Sequence, residues 1–391
     1  MSKTKNLYKG NCLDTLKTLP DCSIDSIVTD PPYELSFMSK SWDSTGIAYS
    51  VEMWRECLRV LKPGGHLLAF SGSRTYHRMT VAIEDAGFEI RDQIMWLYGS
   101  GFPKSLDVSK AIDKAAGAER EVVGSDTKAR STTGKSALPS VGGETEYQTW
   151  DITAPATPEA QQWQGWGTAL KPAHEPICVA RKPLTGTVAS NVLEWGTGAL
   201  NIDGSRVGTE ERTYDLTMTS GNFETTGGNK NEKSGTTTVT GRWPANVIHD
   251  GSEEVLAGFP NDAGRFFYCA KASKSERNAG LGGLPNGPIY PMNNSIERKE
   301  INKTAPTKAQ NFHPTVKPLA LMRYLVKLVT PPGGTVLDPF LGSGSTAVAA
   351  ILEGFDWRGC EMTEEYWPII EARVKWAKKE AAKPTQGELP I

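Results

Sequence analysis

Apolar positions follow two alternating patterns at both ends of the chain, and the alternation fades between them. Near the N-terminus, SIDSIVTD (23–30), HLLAFSG (66–72) and EIRDQIMWLYG (89–99) are short apolar runs of the kind that form strands. Between them VEMWRECLRVL (51–61) sets Met53, Trp54, Cys57, Leu58 and Leu61 on one helical face, and KPGG comes next as a stop. TYHRMTVAIEDAGF (75–88) is a second helix, ending at Gly87. HEPICVARKP (174–183) reads as one more core strand. The alternation returns with a helix in PLALMRYLVKLV (318–329), a strand and glycine-rich turn in GTVLDPFLGSGST (334–346), and a helix in AVAAILEGF (347–355). A strand in DWRGCEM (356–362) and a last helix in EEYWPIIEARVKWAKKE (364–380) complete it. Strands alternating with helices predict an α/β core around a mostly parallel sheet with right-handed crossovers.

Two stretches break this pattern. Residues 117–168 are rich in Ser, Thr, Gly and Gln and predict a surface insertion, with 169–183 returning to the core. Residues 184–312 are mixed and turn-rich, and 219–238 within them are nearly free of apolar residues, as in a mobile loop. The tail 383–391 is expected to fray.

Composition narrows the function. The 391 residues carry a formal net charge of −2, so any polyanion site must be a local basic patch. Six cysteines without a CxxC pair, and five histidines without ligand spacing, point away from a metal or disulfide framework and toward a reducing cytoplasm. The polar start MSKTKNLYKGN has no signal-peptide character, and no apolar run reaches membrane-spanning length.

Candidate chemistry sits at two strand ends. In TVLDPFLGSGST an acid, Asp338, is followed by Gly342 and Gly344 before a helix, a turn that lets backbone approach a ligand. The same letters also describe an ordinary tight turn. GSGST lacks the lysine of a phosphate loop, and Ala347 stands where a dinucleotide fingerprint has glycine. Glu361 ends the next strand, where an acid can hold both hydroxyls of a ribose, so turn and acid together mark an adenosine site. In TDPPY the doubled proline forces rigid, extended backbone after the first strand. Asp30 and the Pro31 carbonyl can there accept from an exocyclic amino group, and Tyr33 offers a stacking face.

TDPPY, DPFLGSGST and HPTVKP (313–318) resemble the motifs of S-adenosylmethionine-dependent DNA amino-methyltransferases, the N6-adenine/N4-cytosine family. Their order, catalytic motif first and cofactor motif last, is similar to the permuted β group, and 95–110 and 265–277 resemble phage and prophage members. The resemblance implies a Rossmann-like class I methyltransferase fold, a circularly permuted seven-stranded sheet with an inserted target-recognition region. It divides the chain into a catalytic half (1–116), the insertion (117–168), a core strand (169–183), target recognition (184–312) and a cofactor half (313–382). It implies methyl transfer to a flipped base in double-stranded DNA, by direct in-line attack within an Asp30-Pro31-Pro32-Tyr33 site. S-adenosylmethionine would be held by Asp30, Asp338, Phe340, Leu341, Gly342, Ser343, Gly344, Ser345, Thr346, Glu361 and Met362, with Thr315 and Lys317 at its carboxylate. Asn11 and Cys12 would lie at the adenine, Asn11 standing where relatives commonly carry an acid. Aspartate in the tetrad favours adenine N6 over cytosine N4.

Between residues 265 and 308 eight basic side chains face three acidic ones, and Phe266, Phe267 and Tyr268 open the segment. This excess suits phosphate contacts, from Arg265, Lys271, Lys274 and Arg277, with Lys40 and Trp42 beside the flipped base. A homodimer and a restriction-modification setting are family habits that the residues do not test. Two further readings are a non-catalytic DNA-binding homologue, which the intact tetrad disfavours, and a dinucleotide oxidoreductase, which the imperfect fingerprint disfavours. Protein or RNA methylation would sooner bring asparagine to the first tetrad position and a different motif order.

Overall fold

The computed structural model describes residues 6–35, 45–99, 101, 103, 105–130, 146–215, 236–259, 266–285, 287–288 and 308–383. The central strand Ile24–Thr29 is buried along its whole length, as a strand covered on both faces must be. Parity of position assigns each side chain to a face, because successive side chains alternate across a strand. Val28, Leu68 and Phe70 point into one core with Leu321, Leu325, Ala347 and Ile370. Ile27, Leu67 and Ala69 point into the other, with Leu16, Met53, Trp54, Cys57 and Ile83. Helices Leu319–Val329, Ser345–Leu352 and Trp367–Ala381 therefore cover one face, and Cys12–Thr18, Val51–Val60 and Tyr76–Asp85 the other.

Nine strands form this sheet, in spatial order Leu7–Lys9, Asp356–Glu361, Thr335–Asp338, Ile24–Thr29, Leu61–Phe70, His174–Arg181, Glu89–Leu97, Val247–His249 and Phe267–Tyr268. All neighbours pair in parallel except His174–Arg181, which runs antiparallel to both strands beside it. Nine rather than seven strands result because two short pieces of the 184–312 region, Val247–His249 and Phe267–Tyr268, extend the edge. Part of the segment expected to read DNA is thus core. The strand expected at HLLAFSG starts earlier, at Leu61, with a register shift opposite Ile24 and Ser26 that absorbs the KPGG turn. Gly64 adopts φ +76° there, which explains the glycine.

Contacts divide the chain into two units, Met1–Gly99 with His174–Ile391, and Ser100–Ala173. The second unit begins earlier than the insertion expected at 117, and it is a folded element. Helix Val108–Ala115 is followed by a hairpin of Val122–Arg130 and Glu146–Thr153 and by helix Pro158–Gln162. Asp113 accounts for the earlier boundary. Its carboxylate accepts from the backbone N–H groups of Ala156 and Thr157 and from Arg120, which ties helix Val108–Ala115 to the hairpin and to the start of helix Pro158–Gln162. The stretch 216–235, which holds most of the expected mobile loop, and the end of the tail lie outside the described residues.

Asn191 shows how a polar side chain secures the sheet unit. It is fully buried, accepts from the Thr185 N–H at 2.8 Å, and donates to the carbonyls of Pro63 at 2.9 Å and Thr197 at 2.7 Å. Asn191→Ala should leave those groups unpaired and destabilise the sheet unit by about 2–3 kcal/mol, read from chemical denaturation.

Candidate active site

Asp30 directly follows the central strand, and two prolines after it stop the sheet without starting a helix. Its Oδ2 accepts from Lys317 Nζ at 2.7 Å. The same ammonium donates to the Tyr33 hydroxyl at 3.0 Å and lies 3.3 Å from Glu175 Oε2. Tyr33 in turn donates its hydroxyl proton to Glu175 Oε2 at 3.0 Å. All three protons of the lysine are therefore assigned. Glu34 closes the adjoining loop by accepting from the Gly46 N–H at 2.8 Å.

One cation thus serves two carboxylates in a buried setting. Burial raises the Asp30 pKa, and the Lys317 charge works against that rise without cancelling it. Burial pulls Lys317 down, but Asp30 and Glu175 outweigh it and hold the ammonium above its usual range. Burial, then the two carboxylates, push Tyr33 well up, so its hydroxyl stays protonated. Among the described residues, Asp30 Oδ1 is buried and has no hydrogen-bond partner. Buried carboxylate oxygens are ordinarily satisfied, so this acceptor calls for a donor beyond those residues.

The glycine-rich turn is fastened at three points. Asp338 accepts from Thr29 Oγ1 at 2.6 Å, from Thr346 Oγ1 at 2.5 Å and from the Phe340 N–H at 3.0 Å. Burial raises its carboxyl to about 6 against those three donors. Glu361 accepts from the Gly342 N–H at 2.8 Å and the Thr363 N–H at 2.7 Å, one on each oxygen. Arg373, almost fully buried, donates to the Ser343 carbonyl at 2.7 Å and to the Ser345 hydroxyl at 3.1 Å. Gly342 and Gly344 adopt φ of +55° and +83°, and a Cβ on Gly342 would stand 2.8 Å from His313 Nε2. Burial, then the nearby Arg277, Lys317 and Arg373, lowers His313 to about 3. The ring is neutral at physiological pH, with Nδ1 accepting from the Thr315 N–H at 3.3 Å.

The structure brings Asp30, Tyr33 and Lys317 together, and it gathers Asp338, residues 340–346 and Glu361 around one turn. Pro31 is buried and Pro32 half-buried beside Asp30. Lys317, expected on a cofactor carboxylate, pairs in this structure with Asp30 and Glu175, its buried ammonium 4.8 Å above the Phe70 ring. Leu341 is core, while Met362 is exposed. Asn11 uses its Oδ1 to cap helix Cys12–Thr18 through the Leu13 N–H, so that oxygen is already engaged. Cys12 is buried, its thiol pushed up to about 11 by burial.

On the expected DNA face, Lys274 is exposed and Lys271 lies 3.6 Å above the Tyr98 ring. Arg277 is half-buried and donates to the His313 carbonyl at 2.8 Å, which spends it on the HPTVKP segment rather than on an open surface. Phe267 stacks on Tyr324 in the core at 4.2 Å. Lys40, Trp42 and Arg265 lie outside the described residues. Sequence reasoning missed Glu175 and Arg373. Glu175 lies in the strand expected at 174–183 and Arg373 in the helix expected at 364–380, and no motif marks either. No group of three or more His, Cys, Asp and Glu that could hold a metal occurs among the described residues.

A profile of the N6/N4 DNA methylases matches residues 24–372, nearly the whole chain. The chain belongs to the DNA methylase family. Among curated methylases, the Type II methyltransferase M.HpaI of Haemophilus parainfluenzae is 33% identical over 118 residues, 28% of this chain and 37% of its own. M.HindIII of Haemophilus influenzae is 23% identical over 304 residues, 77% of this chain and 60% of its own. The chain spans between 27% and 60% of the length of the curated methylases it matches. Of solved structures, the cytosine-N4-specific PvuII DNA methyltransferase superposes with a TM-score of 0.46 at 14% identity, over 96% of this chain and 91% of its own. The M1.HpyAVI–SAM complex gives a TM-score of 0.38 at 14% identity, over 94% and 98%.

In this methylase the Asp338 clamp should be testable by stability. Asp338→Ala strands three donors and should cost about 2–4 kcal/mol, whereas Asp338→Asn keeps two of the three acceptances and should cost under about 1.5 kcal/mol. The pH dependence has a definite sign. With its folded carboxyl at about 6, above the ordinary value near 4, Asp338 binds more protons folded than unfolded between those limits. Its contribution is present below about pH 4 and is lost as pH rises through 6, so wild type should lose stability relative to Asp338→Asn across that window.

Proposed function

We propose that this chain transfers a methyl group from S-adenosylmethionine to the exocyclic N6 of an adenine flipped out of double-stranded DNA. The observation that carries this reading is Asp30 Oδ1, a buried acceptor without a partner among the described residues, at the carboxyl end of the central strand. An amino group supplies the donor it lacks, and aspartate at this position favours adenine.

The residues present fit the cofactor. Gly342 and Gly344 give a turn without side chains, and each Glu361 oxygen, with one N–H on it, keeps a lone pair for a ribose hydroxyl. Glu361 and residues 340–346 would hold the molecule. When bound, it supplies an electrophilic sulfonium methyl, the new N–C bond forming as the S–C bond breaks with its electron pair kept by sulfur.

The chain's own part is positioning and charge. Asp30 binds the amine, and the proline-rigid backbone holds it there at no cost during the reaction. Tyr33, with its hydroxyl tied to Glu175 and Lys317, offers a ring of fixed orientation for the base. Extrusion of the base costs a few kcal/mol and is repaid by stacking and by the Asp30 contact. Lys271 and Lys274 would serve the phosphates.

Labelled cofactor incubated with duplex DNA, followed by nucleoside mass spectrometry, should give N6-methyladenine. N4-methylcytosine in its place would overturn the target, and label in protein alone would overturn the reading. Asp30→Ala should lower methyl transfer by at least about 100-fold while cofactor binding, measured by calorimetry, stays within a few-fold.

A further inference from the structure

The single antiparallel strand of the sheet brings its first residues to the edge where the parallel strands end. Glu175 lies opposite Trp96 in the register, and Ile177 lies opposite Phe70 at the end of Leu61–Phe70. A glutamate from a segment outside all three sequence motifs is thereby placed on Tyr33 and Lys317.

The Tyr33 hydroxyl has one proton, and Glu175 takes it. That proton is therefore not on Asp30. The Lys317 ammonium is shared at 2.7 Å and 3.3 Å between the two acids, so the three groups together carry one unneutralised negative charge. Among the described residues, the other titratable groups near this cluster include Asp338, beyond Thr29, His313 near Lys317, and Lys271 and Tyr98 on the far side of Glu175. Like charge on Glu175 and a shared cation both make Asp30 a better base than a private ion pair with Lys317 would.

We propose that Glu175 is a positioning residue for proton removal: by holding the Tyr33 hydroxyl and sharing Lys317, it leaves Asp30 Oδ1 free to take the proton from the target amine. The proposal rests on the reading of Asp30 as the acceptor of that amine. In the step, the amine N–H bond breaks with its electron pair kept by nitrogen, and an O–H bond forms on Asp30 Oδ1. The proton leaves to solvent when the product departs.

The test is the pH dependence of single-turnover methyl transfer in wild type, Glu175→Gln and Glu175→Asp, with S-adenosylmethionine and duplex DNA. Glu175→Gln removes the charge but keeps the shape. It should lower the plateau rate about tenfold and move the acid limb to lower pH by about one unit, as Asp30 loses its neighbouring charge. Glu175→Asp should bring the limb back toward wild type. A lower rate with an unmoved limb would reduce Glu175 to a structural prop, and an unchanged profile would remove it from the reaction. A wild-type protein inactive on DNA would instead overturn the functional reading. In that event carboxyl titration of Asp30 by carbon NMR still decides the proposal, since Glu175→Gln must lower the Asp30 midpoint or the coupling does not exist.

Discussion

Three hydrogen bonds to one buried carboxylate set the geometry on which everything else rests. Asp338 ends its own strand, grips Thr29 at the end of the neighbouring strand, and holds Phe340 and Thr346 at both sides of the glycine-rich turn. Thr29 immediately precedes Asp30. The spacing between Asp30 and the glycine-rich turn is thus fixed through a single residue that bonds to both sides of the turn and to the neighbour of Asp30. Buried polar groups with every partner in place confer this kind of rigidity.

The second organising constraint is direction. Parallel strands deliver only their carboxyl ends to one edge, which restricts what that edge can be built from. Running His174–Arg181 the other way adds the beginning of a strand to the same edge. The cluster of Asp30, Tyr33, Glu175 and Lys317 draws on three separated stretches of chain, and none of its members is adjacent to another in sequence. Lys317 also links this cluster to the cofactor turn, since His313, four residues earlier, packs against Gly342.

Much of this was legible in the sequence. Period-two and helical patterns located the core strands and helices, while the motifs singled out Asp30, Tyr33 and the turn, and the end of the next strand singled out Glu361. What escaped depended on long-range pairing. Glu175 is a flanking acid until the antiparallel register places it beside Trp96. Arg373 is a surface cation by composition, yet it is buried because the Ser343 carbonyl and the hydroxyls of Ser343 and Ser345 give its guanidinium partners. Asp113 turned a stretch that reads as loop into part of a folded unit, through bonds to residues more than 40 positions away. Local pattern carries no record of such partners. Arg277 shows the converse, since a basic run predicts exposure and cannot reveal that one member is spent on the His313 carbonyl.

The edge strands Val247–His249 and Phe267–Tyr268 make part of the 184–312 region inseparable from the scaffold. A recognition module that merely sat on the scaffold could be exchanged whole between homologues. Here the region from 184 to 312 is stitched into the sheet at Met95, Trp96 and Leu97, and Phe267 fills core space against Tyr324. Wholesale exchange would open the sheet. The hairpin of Val207–Asp215 and Thr236–Arg242 differs, because among the described residues it pairs only with itself in the strand order.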